Sequence, residues 1–360
     1  MRDSKQRVLD AVNHRAYDRM PVDFWSTAET DAKLFKHLGL TNRSQLLDEF
    51  DVDIVFIEGP EYTGPALKQY PDGSDNDIWG VRRKTCFTGE GDKRQSYKTV
   101  VDSPLKEAKD VDGILGYAHW PSPDDYDYSV IRQQCIDAGD RAVFFMGDRL
   151  NRIAQLKPAM YLRGMEQILM DAALDPDIFM AIVGKISGFY NEYLERILAA
   201  ADGMIDVVVT GDDFGTQDGL MVSRQMWRDL LLPGFRKFIE ISHSFNTPVM
   251  HHTCGGIHEI IGDMIEAGLD VLNPIQPNTF GMDFANLKSE FGDKICFHGG
   301  IGIQTNLPFG SPEDVRAEVK EAMAALGKGT GYIACTAHNI QADVPVENTL
   351  ALFDAYKEYR

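Results

Sequence analysis

Short apolar runs recur along the chain and alternate with longer segments of helical periodicity. Eight of these runs are rich in Val, Ile and Phe and are continuous, which is typical of parallel strands covered on both faces. We expect strands at residues 20–25, 54–58, 142–146, 206–210, 248–252, 271–275, 295–298 and 332–335. A strand followed by a helix, repeated about eight times, favours an α/β fold of the (β/α)8 TIM barrel type over an open doubly wound sheet.

Three of the predicted helices have clear sequence signals. One begins after Ser311, a residue type suited to capping, and stops near Gly327. The range 176–201 predicts one long helix, and the range 225–245 predicts another with a kink at Pro233.

The segment at residues 75–100 interrupts the alternation of strands and helices. Within it, residues 79–84 and 95–100 are expected to pair as a small hairpin inserted over one mouth of the barrel. No Gly-Ser linker, charge block or short repeat divides the chain. The pattern therefore predicts one domain, residues 1–360, with an inserted hairpin.

Composition narrows the possible partners and the compartment. The formal net charge of −19 predicts a surface that repels nucleic acid and anionic lipid. The first six residues are polar and no apolar stretch reaches the length of about 18 residues that a membrane span needs, so we expect a cytoplasmic protein with no membrane partner. Five cysteines, an odd and sparse set, argue against a disulfide framework.

Polar residues stand where the predicted strands end, which is where barrels of this type place their active sites. These candidate residues are Glu58, Asp148, Asp212, Asp213, His251, His252, Cys254, Gln276, His298, Cys335 and His338.

The sharpest local feature is His252-Thr253-Cys254, followed by two glycines. A His and two Cys are soft ligands of the kind that catalytic zinc uses, and in a barrel the distant Cys335 is able to meet the first two. The other interpretation is a strand end whose His caps a carbonyl and whose Cys packs as a small apolar group. Both interpretations stay open from the residues alone.

Three motifs resemble those of the uroporphyrinogen decarboxylase superfamily. They are the run from His251 to Gly256, the run Phe297-His298-Gly299-Gly300-Ile301, and the ending that runs from Gly331 to Gln341 and continues to Asn348. The similarity covers nearly the whole chain and implies the barrel fold.

Two branches of that superfamily differ in their binding residues. The decarboxylases carry arginines after the first strand to hold an acidic tetrapyrrole, whereas residues 22–30 of this chain contain none. The other branch resembles the methylcobalamin:coenzyme M methyltransferases, and its zinc ligands match His252, Cys254 and Cys335. In that branch glycines flank the last Cys, where this chain has Ala334 and Thr336.

The remaining polar residues receive expected roles. His338 matches a pocket histidine of the decarboxylases and is expected to orient substrate or act as a general acid, unless it is an ordinary loop histidine. One carboxylate of the Asp212-Asp213 pair is expected to face the mouth, and the alternative for such residues is to satisfy loop amides. The full assignment is catalysis for His338, Asp213 and His298, and substrate binding for Trp25, Glu58, Asp212 and Gln276.

The resemblance implies a zinc-dependent methyltransferase that moves a methyl group between a small molecule and a corrinoid protein. A separate corrinoid partner is expected because no cobalamin-binding module is recognisable in the chain. The alternatives are a metal-free carboxy-lyase of the decarboxylase type, which needs a basic pocket, and a barrel that only binds its ligand.

Overall fold

A seven-stranded parallel sheet curls around the centre of the computed structural model, which describes residues 3–147 and 152–360. The order of the strands in this sheet is β1-β7-β8-β11-β12-β13-β14. The bounds of all strands are β1 Ile54–Ile57, β2 Glu61–Tyr62, β3 Asp75–Asn76, β4 Arg82–Thr88, β5 Gln95–Asp102, β6 Tyr126–Asp127, β7 Ala142–Phe145, β8 Val207–Gly211, β9 Gly215–Thr216, β10 Gly219–Leu220, β11 Val249–His252, β12 Val271–Ile275, β13 Cys296–Ile301 and β14 Tyr332–Thr336.

An extended segment around Val22 occupies the eighth position, between β14 and β1. On one side, the N–H of Asp23 donates to the carbonyl of Ala334, and the N–H of Ala334 donates to the carbonyl of Pro21, both at 2.9 Å. On the other side, the N–H of Asp53 donates to the carbonyl of Val22, also at 2.9 Å. The predicted first strand is therefore a short bridge, and with it the sheet forms the TIM barrel that the sequence predicts.

Helices cover the outside of this sheet. Their bounds are α1 Ser4–Val12, α2 Ala28–Leu38, α3 Arg43–Glu49, α4 Val111–Leu115, α5 Ile131–Asp137, α6 Leu156–Arg163, α7 Met165–Leu174, α8 Pro176–Ala201, α9 Arg224–Leu230, α10 Leu232–Ser244, α11 His258–Glu266, α12 Phe284–Phe291, α13 Asn306–Phe309, α14 Pro312–Leu326 and α15 Val346–Tyr359. None of the helices among these described residues is long and apolar enough to cross a lipid bilayer.

The helix predictions are confirmed in two cases and wrong in one. The long helix α8 has the predicted bounds, and α14 begins after Ser311 with a capping box. The helix expected at 225–245 is two helices, α9 and α10, which meet at Leu231. Pro233 stands in the first turn of α10, where its missing N–H costs no helical hydrogen bond, so it begins a helix instead of bending one.

The inserted hairpin is present, but its first strand begins later than predicted. Strand β4 pairs antiparallel with β5, and β3 extends the same small sheet. The carboxylate of Asp77 accepts hydrogen bonds from the backbone N–H groups of Trp79 and Val81, each at 3.0 Å. These bonds hold residues 77–81 in a turn, so the strand starts at Arg82.

Side chains of the barrel strands alternate between two buried layers. Val207 and Val209 of β8 pack inside the barrel, whereas Val208 packs between the sheet and the helices. Strand β11 follows the same rule, with Met250 inside and Val249 outside. This two-residue period decides which polar residues at the strand ends reach the interior.

The carboxylate of Asp53, which has no exposed surface, holds the segment around Val22 in place. It accepts hydrogen bonds from the guanidinium of Arg7 at 2.5 Å, from the guanidinium of Arg19 at 2.7 and 2.9 Å, and from the N–H of Val22 at 2.9 Å. Arg7 is itself 4% exposed. Removing the charge of Asp53 would leave a buried cation without part of its compensation.

We expect Asp53→Asn to lower the free energy of unfolding by about 3 kcal/mol, because one member of a buried ion-pair network is lost. Urea denaturation followed by circular dichroism measures this change. The matched control is Asp202→Asn, which removes a carboxylate 76% exposed and paired with Arg132. That control should cost less than about 1 kcal/mol, and equal losses in the two variants would contradict a special role for Asp53.

Candidate metal and substrate site

His252 lies at the carboxyl end of β11 and points into the barrel, as the alternation along that strand requires. Its Nδ1 lies 2.6 Å from Oδ1 of Asn273, and its ring stacks on Trp25 with 5.5 Å between ring centroids. Burial holds the pKa of His252 well below its usual value, so the imidazole is neutral at physiological pH. The neighbouring His251 points outward, stacks on Phe214 and bonds Thr210.

Cys254 and His338 complete a group of candidate metal ligands with His252. The Sγ of Cys254 lies 3.5 Å from Nε2 of His252, and the ligand atoms of these three residues all lie within 4.8 Å of one another. Burial and the nearby carboxylate of Asp213 raise the pKa of Cys254 to about 12, so without a metal the thiol stays protonated. The group therefore combines two imidazoles and one thiol at the barrel mouth.

Cys335 belongs to a second group, below the first. It lies in β14 with its side chain in the barrel interior, and its Sγ is within 4.8 Å of ligand atoms of Asp23 and His298. All three residues are buried. The structure thus brings His252 and Cys254 together with His338, whereas the predicted third ligand Cys335 joins His298 and Asp23.

Asn273 connects the two groups. Its Nδ2 lies 2.6 Å from Nδ1 of His298, and Nε2 of His298 lies 2.9 Å from Oδ2 of Asp23. The same carboxylate oxygen accepts a hydrogen bond from Nε1 of Trp25 at 2.7 Å. His298 and Asn273 have no exposed surface, so these contacts form a continuous polar line inside the barrel.

The two carboxylates of the Asp212-Asp213 pair lie in different environments. Asp212 accepts hydrogen bonds from the backbone N–H groups of three residues that begin α6, at 2.5, 3.0 and 2.7 Å. Burial raises the pKa of Asp212 to about 6, although these amides oppose the shift. This residue anchors α6 to the end of β8, which is the loop-amide alternative.

Asp213 contacts Lys157 and Cys254. Its Oδ2 pairs with Nζ of Lys157 at 2.6 Å, and its Oδ1 accepts the N–H of Cys254 at 3.2 Å. Burial acts to raise the pKa of Asp213, but the ammonium group of Lys157 and the hydrogen bond from the N–H of Cys254 hold it below its ordinary value. A carboxylate that is ionised and has a partner on each oxygen is suited to positioning Cys254. It is less suited to acting as a proton donor.

Two cavities are lined by the three candidate metal ligands. The smaller cavity, about 110 Å³, is lined by Trp25, Lys157, His252 and His338 among others. The larger cavity, about 450 Å³, is lined by Cys254, Gln276 and again His338. His338 lines both cavities, so the group of candidate ligands lies at their boundary.

The other predicted residues are less central. Gln276 lies in the larger cavity, where its Oε1 accepts the N–H of Gly255 at 3.0 Å. Glu58 follows β1 and is exposed, outside the two cavities. Asp148 lies outside the residues that the structure describes. The predicted roles of all these residues stay predictions.

Asn273, Lys157 and Arg152 are site residues that the sequence reasoning did not select. Arg152 and Lys157 line the smaller cavity. Both lie several residues beyond the predicted strand at 142–146, so they are not counted among the residues that end a strand. Asn273 carries a recognisable signal, because an amide in the middle of the otherwise apolar strand β12 must find buried partners. Attention to polar residues inside strands would have found it.

The chain is similar in sequence to proteins of one family. The sequence profile described as Uroporphyrinogen decarboxylase (URO-D) matches residues 154–359. A uroporphyrinogen decarboxylase from Psychromonas ingrahamii is 27% identical over 191 residues, which are 52% of this chain and 50% of that protein. The methylcobamide:CoM methyltransferase MtaA of Methanosarcina barkeri is 29% identical over 173 residues, which are 46% of each chain. The matched region thus spans about half the length of these curated relatives.

Among solved structures, a methyltransferase from Methanosarcina mazei shares the fold over the whole chain. The TM-score is 0.68 at 18% sequence identity, and the superposition covers 100% of this chain and 99% of the other. The profile match includes β11 and β14, the strands that carry His252 and Cys335, and the loop that carries His338. On the strength of that match over more than half of its length, the chain belongs to the uroporphyrinogen decarboxylase family.

Proposed function

We propose that this protein is a zinc-dependent methyltransferase that moves a methyl group between a small molecule and the cobalt of a corrinoid protein. The observation that carries the proposal is the group His252, Cys254 and His338 at the boundary of two cavities. The methyltransferase relative from Methanosarcina barkeri supports the same reaction class.

The spacing of the donor atoms suits zinc. A tetrahedral zinc with a Zn–N distance of about 2.0 Å and a Zn–S distance of about 2.3 Å requires about 3.5 Å between the two ligand atoms. The separation of Nε2 of His252 and Sγ of Cys254 is 3.5 Å. Imidazole nitrogen and thiolate sulfur are ligands that zinc prefers, and three protein ligands leave one position for substrate.

His338 is less preorganised for metal binding than His252. Its Nδ1 accepts the backbone N–H of Asn339 at 2.8 Å, which places the proton of the neutral ring on Nε2. Binding of a metal through Nε2 would move that proton to Nδ1 and end the bond to Asn339. Without a metal, the same Nε2–H group is able to donate to a substrate, which is the role predicted from the sequence.

The two cavities suit a transfer between two reactants. Zinc, when bound, would lower the pKa of an acceptor thiol and so supply a nucleophile at neutral pH. The thiol proton would pass to solvent, and the thiolate sulfur would form a bond to the methyl carbon as the cobalt–carbon bond breaks, with both electrons of the broken bond staying on cobalt. Trp25 supplies an apolar wall beside His252, and Asp213 holds the backbone of Cys254.

The decarboxylase alternative is less well supported by the walls of these cavities. A tetrapyrrole with many carboxylates requires several fixed cations to hold it. Among the described residues that line the two cavities, the Arg and Lys side chains are Arg152 and Lys157, and Lys157 already pairs with Asp213. The methyltransferase therefore remains the first proposal.

The metal content of the purified protein tests the ligand set. We expect about one zinc per chain in protein prepared without added zinc or chelator, and a large loss of it in both Cys254→Ser and His338→Ala. Cys335→Ala should keep its zinc, because Cys335 belongs to the other group. Atomic emission spectroscopy measures the stoichiometry.

Cys296→Ala is the matched control for that experiment, since Cys296 is also a buried cysteine of the barrel interior. Loss of zinc in Cys335→Ala with retention in His338→Ala would return Cys335 to the ligand set predicted from the sequence. Absence of zinc from every preparation, with none taken up on addition, would overturn the zinc proposal.

Methyl transfer itself is measured with methylcobalamin and a small thiol as probes. We expect the absorbance of the methyl–cobalt bond to fall with formation of a methyl thioether, at a rate reduced more than about 100-fold in Cys254→Ser, since a Lewis-acid site is worth several kcal/mol. Release of CO2 from uroporphyrinogen in place of this reaction would favour the carboxy-lyase. Binding of either probe without turnover would favour a barrel that only binds.

A further inference from the structure

In the polar line from His252 to Asp23, the donor and the acceptor of each hydrogen bond can be assigned. Asp23 receives donors on both oxygens, since Phe24 N–H donates to Oδ1 at 2.7 Å and the indole N–H of Trp25 donates to Oδ2 at 2.7 Å. Indole and backbone N–H groups only donate, so both oxygens of Asp23 act as acceptors in these contacts. The Nε2 of His298, 2.9 Å from the same Oδ2, therefore carries its hydrogen.

Each following contact is determined by the one before it. The Nδ2 group of Asn273 only donates, and it lies 2.6 Å from Nδ1 of His298, so that Nδ1 accepts and the hydrogen of the ring is on Nε2. The amide of Asn273 is then oriented with its oxygen toward His252, 2.6 Å from Nδ1. That oxygen requires a hydrogen on Nδ1 of His252, which leaves the lone pair of Nε2 directed toward Cys254.

We propose that Asp23, His298 and Asn273 are positioning residues that hold His252 in the one tautomer able to bind a metal through Nε2. The inference rests on the proposed function and deepens it, since it concerns the metal-binding competence of that same site. If every hydrogen bond of the polar line were reversed, a lone pair of His298 would face the carboxylate of Asp23. Both groups are buried, so water could not replace the lost hydrogen bond.

Trp25 contacts both histidines of the polar line and the carboxylate at its end. Its indole stacks on His252 at 5.5 Å and tilts against His298 at 5.7 Å, while its N–H bonds Asp23. The ring planes of both histidines are thus restricted by packing, and the hydrogen bonds select which nitrogen is protonated. Such control of a ligand's second nitrogen typically changes metal affinity about 10- to 100-fold.

The tautomer is measured directly, without a metal, by long-range ¹H–¹⁵N correlation spectra of the full chain labelled with ¹⁵N-histidine. Nine histidines contribute, and His252→Gln assigns the ring of interest. We expect the Nδ1–H tautomer for His252 and the Nε2–H tautomer for His298 in the wild-type protein. A wild-type His252 with its proton on Nε2 would overturn the proposal.

Two substitutions at Asn273 separate positioning from simple support of the fold. Asn273→Leu removes the acceptor, so we expect a mixture of His252 tautomers and zinc binding weaker by roughly 10- to 100-fold. Asn273→Asp keeps an acceptor at the same place, so the Nδ1–H tautomer should be retained. A mixture in the Asp variant as well, with folding intact by circular dichroism, would contradict control through this oxygen.

His298→Leu tests the next contact, and His251→Gln is its matched control. Loss of His298 frees the amide of Asn273 to reverse, so we expect a mixed tautomer at His252 although the substituted residue does not touch it. His251 is an equally buried neighbour that faces the helices, and its loss should leave the His252 resonances unchanged. An unchanged His252 in His298→Leu would contradict the proposal.

Zinc titration of the same proteins distinguishes this proposal from the proposed function. The expected tautomers with no zinc uptake by the wild-type protein would reject the zinc site while confirming the hydrogen-bond line. Zinc uptake by a protein whose His252 carries its proton on Nε2 when metal-free would reject the line while leaving the zinc site in place.

Discussion

The rest of the structure depends on the hydrogen bonds and ion pairs of the buried Asp53 carboxylate. It precedes β1 and binds two guanidinium groups and the N–H of Val22, so the first extended segment is held between β14 and β1. Without that segment the barrel would have an open edge. Asp23 is the next residue after Val22 and Trp25 is three positions after it, so the interaction that closes the barrel also places two residues in the interior of the site.

Most of the fold could be predicted from the sequence because its dominant signal is local. Strands covered on both faces produce continuous apolar runs, and the bounds of the seven strands in the main sheet are correct to within a few residues, whereas the predicted first strand is a short bridge. The error at Pro233 has the same local origin, since a proline that ends one helix and a proline that begins the next leave similar patterns. Only the backbone at Leu231 decides between them.

The site could be predicted less completely, because it depends on which face of a strand a residue occupies and on where the strand stops. His252 and Cys254 were found since they end a strand with a recognisable spacing. Cys335 and His338 are three positions apart, and β14 ends between them at Thr336. That boundary keeps Cys335 in the barrel interior and places His338 at the mouth, a difference that composition and periodicity do not contain.

The interior line explains why a polar set as large as this one is tolerated in the centre of a barrel. Buried donors and acceptors are costly when unmatched, and here each contact from His252 through Asn273 and His298 to Asp23 pairs a donor with an acceptor. A neutral imidazole has one donor nitrogen and one acceptor nitrogen. Two histidines and one amide therefore fix the direction of every hydrogen bond between them without any net charge. The carboxylate at one end therefore determines which nitrogen is available at the other, next to Cys254. Under the proposed zinc chemistry, side chains beneath the mouth would serve metal binding as well as those in it.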